Sequence, residues 1–202
     1  MSMFNIAKFV SEIGQFGVAR NDRYVIEFDA TPSGSVLFNR AEVEKINSRL
    51  ESISLPSRSI GSNTIKLQSI DREIPYGNIF EGDIKMSMLD DRKMNIRRMF
   101  DRWQGLTISN RTYQISYYDN YTCNMVISLY DEEGNQTYAV KLFNIFPKSL
   151  SSIELETSGD NFIKTEVELS YRRWIEWYGT PKPITNDIFE SAGSDFNPDF
   201  IN

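Results

Sequence analysis

Histidine is absent from all 202 residues, and cysteine occurs once. The first absence removes Ser-His-Asp and Cys-His catalysis and every zinc site that needs an imidazole. The second removes any intramolecular disulfide. Cys123 lies in, or just before, the apolar run Asn124 to Tyr130, and reads as a buried, inert thiol. No stretch of about 18 apolar residues is continuous, and the N-terminus lacks a charged segment leading into a long apolar run. The expectation is a protein made and assembled in a cytoplasm, with no membrane partner. No Gly-x-x-x-x-Gly-Lys loop, Gly-x-Gly-x-x-Gly fingerprint or Gly-x-Ser-x-Gly elbow occurs, so phosphate cradles and nucleophile elbows have no support. Basic excess is missing too. Twenty-two Lys and Arg against 28 Asp and Glu give a net charge of -6 and a pI near 4.9, without the basic footprint of a nucleic-acid binder.

What is there is a core. Hydrophobic residues make up 40% of the chain and aromatic residues 13%, enough for one packed domain with appendages. No cofactor is implied. Of the carboxylate pairs, Asp90-Asp91 falls where a helix N-terminus favours negative charge, and Glu132-Glu133 falls in a turn. A glycosidase-like pair facing across a cleft is the enzymatic arrangement that a single sequence leaves open.

The order of elements is strand-rich. Ile6, Phe9, Val10 and Ile13 share a helical face between Ser2 and Gly14, giving an N-terminal helical arm over residues 1–21. Tyr24, Ile26 and Phe28 begin the first strand of a β domain over residues 22–178. Residues 31–54 are a polar insertion. Within it Asn39-Arg-Ala-Glu42 approaches a capping box, and Val43, Ile46, Leu50 and Ile53 form a stripe that predicts a helix over Arg40 to Leu50. Residues 55–80 hold Pro56, Gly61, Pro75 and Gly77 around a weak alternation, which predicts an extended, imperfect hairpin outside the core.

Ile84, Met86 and Met88 form the next strand. A helix from Asp91 then buries Ile96, Met99, Phe100 and Trp103 and presents Arg92, Lys93, Arg97, Arg98 and Arg102 on its other face. Such a charge run reads as a solvated face or a protein contact. Strands over Tyr113 to Tyr117, Met125 to Leu129 and Tyr138 to Leu142 follow, the last two joined by the turn Asp131 to Asn135. Residues 179–202 form an acidic arm in which Phe189, Phe196 and Phe200 could anchor in neighbouring grooves.

The closing segment is the most ordered in pattern. Pro147 ends the strand Phe143 to Phe146. Ile153 and Leu155 then alternate with Glu154 and Glu156, a turn spans Thr157 to Asn161, and Val167, Leu169 and Tyr171 alternate with Glu166, Glu168 and Ser170. This predicts an antiparallel hairpin with one apolar and one acidic face.

Asn144 to Leu150 (Asn-Ile-Phe-Pro-Lys-Ser-Leu), the Ser-Gly-Asp-Asn turn and Thr165 to Tyr171 resemble the closing strands of tail tube proteins of contractile-tailed phages. That family is related to the tube proteins of type VI secretion and contractile injection systems. Leu55-Pro-Ser-Arg58, Glu81 to Asp91 and Phe100 to Gln104 extend the resemblance over roughly residues 22 to 178.

The resemblance implies a mainly β fold, an antiparallel sandwich or partial barrel with a packed helix, and a structural rather than enzymatic role. It implies hexameric rings stacked into the inner tail tube of a virion, a conduit for DNA ejection. Implied partners are further copies of the chain, the tail sheath, the tape measure protein, the baseplate and the tail terminator, with viral DNA passing through. Residues 55–80 would reach the next ring through Arg58, Ile65, Leu67, Ile70 and Tyr76. The basic helix face would meet the sheath through Arg97, Arg98 and Arg102. For Glu154, Glu156, Glu166 and Glu168 two readings stay open: the lining of a bore, or solubilising residues on an exposed sheet. The insertion at 31–54 and the arm at 179–202 leave room for a tube-initiating baseplate protein of the same fold. From another class, a carbohydrate-binding or hydrolytic β-sandwich domain is the alternative.

Overall fold

The computed structural model describes residues 21–67, 70–80, 82–109, 111–156, 162–177 and 179, with backbone alone at 67 and 70. The helical arm expected over 1–21, the turn 157–161 and the acidic arm 179–202 fall outside these residues, apart from positions 21 and 179.

The strands are β1 (Tyr24–Phe28), β2 (Leu50–Ile53), β3 (Ser59–Leu67), β4 (Ile70–Ile79), β5 (Ile84–Leu89), β6 (Cys123–Tyr130), β7 (Gln136–Leu150), β8 (Lys164–Ser170) and β9 (Arg173–Glu176). The helices are α1 (Arg40–Arg49), α2 (Asn95–Thr107) and the single turn α3 (Tyr118–Tyr121). Every strand pair is antiparallel, in the order β1-β6-β7-β8-β5-β2, with β9 also on β7 and β3-β4 paired only with each other. The sheets do not close, so the fold is the expected mainly β, partial-barrel class.

β7 is the pivot. Its first part pairs with β6 and β9, and Phe146 to Leu150 pair with β8. Between the two parts Asn144 adopts a left-handed backbone (φ 53°), a conformation Asn tolerates better than most residues. Its N–H donates to Asn124 Oδ1 at 3.2 Å, which fixes the bend. The chain thus turns from one leaf (β1-β6-β7-β9) into a second (β7-β8-β5-β2). Pro147 does not end the strand as expected. It sits in register with Leu169, and a bulge follows before Ser149. The proline is tolerated because, among the described residues, this half of β7 has a strand partner on one side only, so no ladder bond is lost on the other.

The core fills the space between the leaves and the helices. Ile26, Met125, Ile127, Leu142, Ile145, Ile84, Met88, Val167 and Leu169 are all 0% exposed, and α2 adds Ile96, Met99, Phe100 and Trp103 from one stripe. Burial of each large apolar side chain contributes roughly 1.5–3 kcal/mol. Trp103 stays satisfied by donating its indole N–H to the Tyr121 carbonyl at 2.6 Å. Cys123 opens β6 and is buried, which pushes its thiol pKa far up, as befits an inert residue.

α1 begins with the expected capping box. Asn39 Oδ1 accepts from Glu42 N–H, and Glu42 Oε2 accepts from Asn39 N–H, both at 2.9 Å. α2 starts at Asn95, four residues later than expected. Met94 at its N-cap is left-handed and offers no side-chain cap. Asp90 and Asp91 serve instead. Asp90 accepts from the N–H groups of Ile96 and Arg97 at 3.1 and 3.0 Å, and Asp91 accepts from those of Lys93 and Asn95 at 3.1 and 2.9 Å. The acidic pair is therefore a helix-terminus device.

One expected strand does not form. Tyr113, Ile115 and Tyr117 lie in a loop with a single bridge, Ile108 to Ile115, and Tyr113 has φ 55°. Beyond that bridge the segment pairs with no strand among the described residues, and β6, the next strand in sequence, lies between β1 and β7.

Candidate assembly surfaces

The second leaf has an apolar inner face and a polar outer one, because alternate residues of β5 and β8 point to opposite sides. On β5, Ile84, Met86 and Met88 are buried while Lys85 is exposed and Ser87 half-buried. On β8, Thr165, Val167 and Leu169 are buried while Lys164 and Glu166 are exposed and Glu168 half-buried. Register sets Lys85 opposite Glu168 and Ser87 opposite Glu166.

The charges on this face answer one another. Glu168 accepts from Ser149 Oγ at 2.9 Å and pairs with Lys85 Nζ at 3.3 Å, and these partners hold its carboxyl below the usual range. Lys164 pairs with Glu51 at 2.7 Å and Lys148 with Asp83 at 2.6 Å. Glu166 has a weak contact, 3.5 Å, from Ser151 Oγ.

Glu154 and Glu156 are exposed but not on this leaf, since residues 151–156 form no strand. The strand beside β8 is Phe146 to Leu150, not Ile153 to Glu156. The last ladder bond, Ser151 N–H to the Glu166 carbonyl at 3.0 Å, marks where the chain departs. Leu155, 80% exposed, has nothing to pack on among the described residues. The expected acidic face is a charge-balanced one.

The β3–β4 hairpin stands apart, as its punctuation by proline and glycine implies. Among the described residues it joins no other strand, and Ile60, Ile65, Ile74 and Tyr76 are exposed. Tyr76 lies across Gly61, where a Cβ would come within 2.5 Å of its ring, so a larger residue there must push the exposed tyrosine aside. Leu67 and Ile70 face each other in register at the tip. The base is clasped. The Ser57 carbonyl accepts from Tyr171 Oη at 3.2 Å and Trp174 Nε1 at 3.0 Å, while the Arg58 guanidinium stacks on the Trp174 ring at 5.4 Å.

The three arginines singled out on α2 separate. Arg97 donates to the Ser151 carbonyl at 2.9 Å, and Arg102 donates to the Leu37 carbonyl at 3.2 Å and pairs with Glu42 at 3.0 Å. Arg97 is half-buried, whereas Arg102 stays exposed. Arg98, Arg92 and Lys93 are exposed. A further apolar surface was not legible in advance: Tyr113, Ile115 and Tyr117 are 82%, 74% and 85% exposed, and only their lack of a strand partner reveals it. Among the described residues no group of three or more carboxylates and thiols could hold a metal ion, and no helix is long and apolar enough to cross a membrane.

An open sheet with one polar face and a hairpin paired with no other strand are the main surface features of the described residues. A family model for phage tail tube proteins matches residues 19–177. The chain belongs to that family. As a tail tube protein it has a structural role, and its fold is similar to that of solved chains from contractile injection systems. One, in the sheath–tube complex of an extracellular contractile injection system (PVC) in the extended state, aligns with TM-score 0.56 and 14% identity over 83% of this chain and 96% of its own. Another, in the six-fold symmetrised baseplate of the anti-feeding prophage, aligns with TM-score 0.55 and 14% identity over 79% and 95%. A third, in that prophage's tube-terminating cap, gives 0.55 and 13% over 79% and 91%. At these identities the likeness is one of fold. No curated protein sequence matches the tail tube chain.

Proposed function

We propose that this tail tube protein closes into hexameric rings through its second leaf, and that the rings stack into the inner tube of a contractile phage tail, the conduit for DNA ejection. The observation that carries this reading is the leaf's pair of open edges. Neither β2 nor the Phe146–Leu150 half of β7 has a second strand partner among the described residues. Open edges invite uncontrolled pairing, and a head-to-tail ring satisfies each with the next copy's other edge. The polar face then lines the bore.

Duplex DNA carries about one negative charge per ~1.7 Å of axis, so a lysine-rich wall would hold it. Here Lys85 and Lys164 are matched by Glu168 and Glu51, and Glu166 adds an anion. In this reading the β3–β4 hairpin, through Arg58, Ile65, Leu67, Ile70 and Tyr76, contacts the adjoining ring. Arg98 and Arg102, with Arg92 and Lys93, meet the sheath, and half-buried Arg97 lies beside them. The tape measure protein occupies the bore, and the baseplate and terminator close its ends.

The test is a protein carrying Ser52→Cys and Lys148→Cys, treated with a short bis-maleimide; buried Cys123 is a poor target. A ladder of linked copies ending at the hexamer is expected, with neither single variant giving more than a dimer. Monomer alone at high concentration by native mass measurement, with no ladder, would overturn ring closure. Ring repetition along purified tails separates a tube subunit from a tube initiator, which would occur as a single ring.

A further inference from the structure

β1 is the other terminal strand of the sheet order, and it is not open. Its peptide groups alternate in direction. The Arg23 carbonyl accepts from Tyr130 N–H at 3.0 Å and Asp29 N–H donates to the Asn124 carbonyl at 2.9 Å, so odd-numbered groups face β6 and even-numbered ones face outward. At Ile26, the middle of the strand, both outward groups are taken by one side chain. Ile26 N–H donates to Asn47 Oδ1 at 2.8 Å, and Asn47 Nδ2 donates to the Ile26 carbonyl at 2.8 Å. This is the two-bond exchange that an incoming antiparallel strand would make, supplied by a primary amide.

The amide is held in place. Its nitrogen also donates to the Val43 carbonyl at 3.1 Å, and α1 is fixed by its capping box and by buried Val43 and Ile46. Among the described residues no side chain does the same to the backbone of β2 or of Phe146 to Leu150.

We infer that α1 is an edge guard acting through Asn47, which closes β1 to strand addition and leaves the second leaf as the surface that joins copies. The consequence for joining rests on the ring reading; the guard itself rests on the hydrogen bonds. β1, Tyr-Val-Ile-Glu-Phe, is the kind of apolar, β-prone segment that adds strands readily when its edge is exposed. Asparagine is a poor choice for a helix interior on propensity, because its amide competes for backbone groups. Here that competition is directed at another element. The insertion at 31–54 is thereby part of how assembly is steered.

Hydrogen exchange on the wild-type protein tests this directly. The Ile26 amide should exchange at least about 100-fold more slowly than the outward amides of Tyr24 and Phe28, both before and after assembly. Protection of Tyr24 and Phe28 on assembly would put β1 in the interface and overturn the inference. A lack of new protection at β2 and Phe146 to Leu150 would instead count against the ring while the Ile26 contrast left the guard standing.

Asn47→Ala should abolish the contrast and give edge-paired dimers by sedimentation at concentrations where wild type shows none. Adding Tyr24→Pro, which removes an outward N–H and none that faces β6, along with the half-buried phenol, should return the dimer to wild-type levels. Asn47→Ala associating as wild type, or the double variant associating as strongly as Asn47→Ala, would overturn the inference. Should Asn47→Ala fail to fold, the wild-type exchange pattern decides.

Discussion

Asp91 ties α1 to the start of α2. It accepts from Lys45, from the N–H groups of Lys93 and Asn95, and from the Asn95 side chain. The hydrogen bond from Lys45 and then that from the Asn95 backbone hold its carboxyl well below the usual carboxylate range. The sign follows from linkage. A carboxyl depressed by folding stabilises the protein at all pH above its unfolded value near ~3.9, and that stability is lost as pH falls from there toward the folded value. Asp91→Asn should lower the urea midpoint at pH 7 and flatten its decline between about pH 4 and pH 2. An unchanged acid slope would mean that Asp91 is not the titrating group. That Asp90-Asp91 belongs to a helix terminus was legible from adjacency to an apolar stripe. Which backbone N–H each carboxylate takes was not, because it depends on the left-handed turn at Met94.

At the scale of elements, the β3–β4 hairpin is the segment whose isolation was readable. Pro75, Gly61 and Gly77 weaken its alternation, and it buries too little to offset ordering its backbone at ~1–2 kcal/mol per residue. A two-stranded hairpin is marginal in water, so ring-to-ring contacts would supply the missing burial. Replacing residues 61–77 by a short Gly/Ser connection, with the Ser57–Trp174 clasp intact, should leave a folded, soluble protein whose urea midpoint is nearly unchanged and which no longer forms tubes in negative stain. Unfolding, or long tubes, would contradict the stacking role. β7 went the other way. Local rules stop a strand at Pro147, yet the strand continues, because a proline on a half-paired edge costs no ladder bond. Alternation at Tyr113 to Tyr117 likewise promised a strand, yet the segment makes only the bridge from Ile115 to Ile108.

For the whole molecule the decisive quantity is charge on the second leaf. Four glutamates look acidic in sequence. The fold sets Lys85 beside Glu168 and Lys164 beside Glu51, and leaves Glu154 and Glu156 off the leaf. Glu166→Lys with Glu168→Lys would make the proposed bore basic in every ring. Tubes should still assemble, and DNA ejection should slow severalfold at low salt, with the difference shrinking as salt screens it. Ejection unchanged at low salt would show that this face does not meet DNA.

The sequence by itself determined the class and its exclusions. A chain without histidine cannot carry imidazole chemistry, and period-two runs punctuated by glycine and proline, with one helical stripe at Ile96 to Trp103, commit it to sheet plus packed helix. It also determined the local devices whose partners are near in sequence, such as the capping box at Asn39 and Glu42. Only tertiary structure decided what depends on distant residues: the bend of β7 at Asn144, the pairing of lysines with glutamates across β2, β5 and β8, the capture of Arg97 and Arg102 by their own chain, and the closure of β1 by Asn47, 21 residues away. Periodicity reports which face a residue takes. It does not report which strand lies alongside, and edges and ion pairs are set by that neighbour.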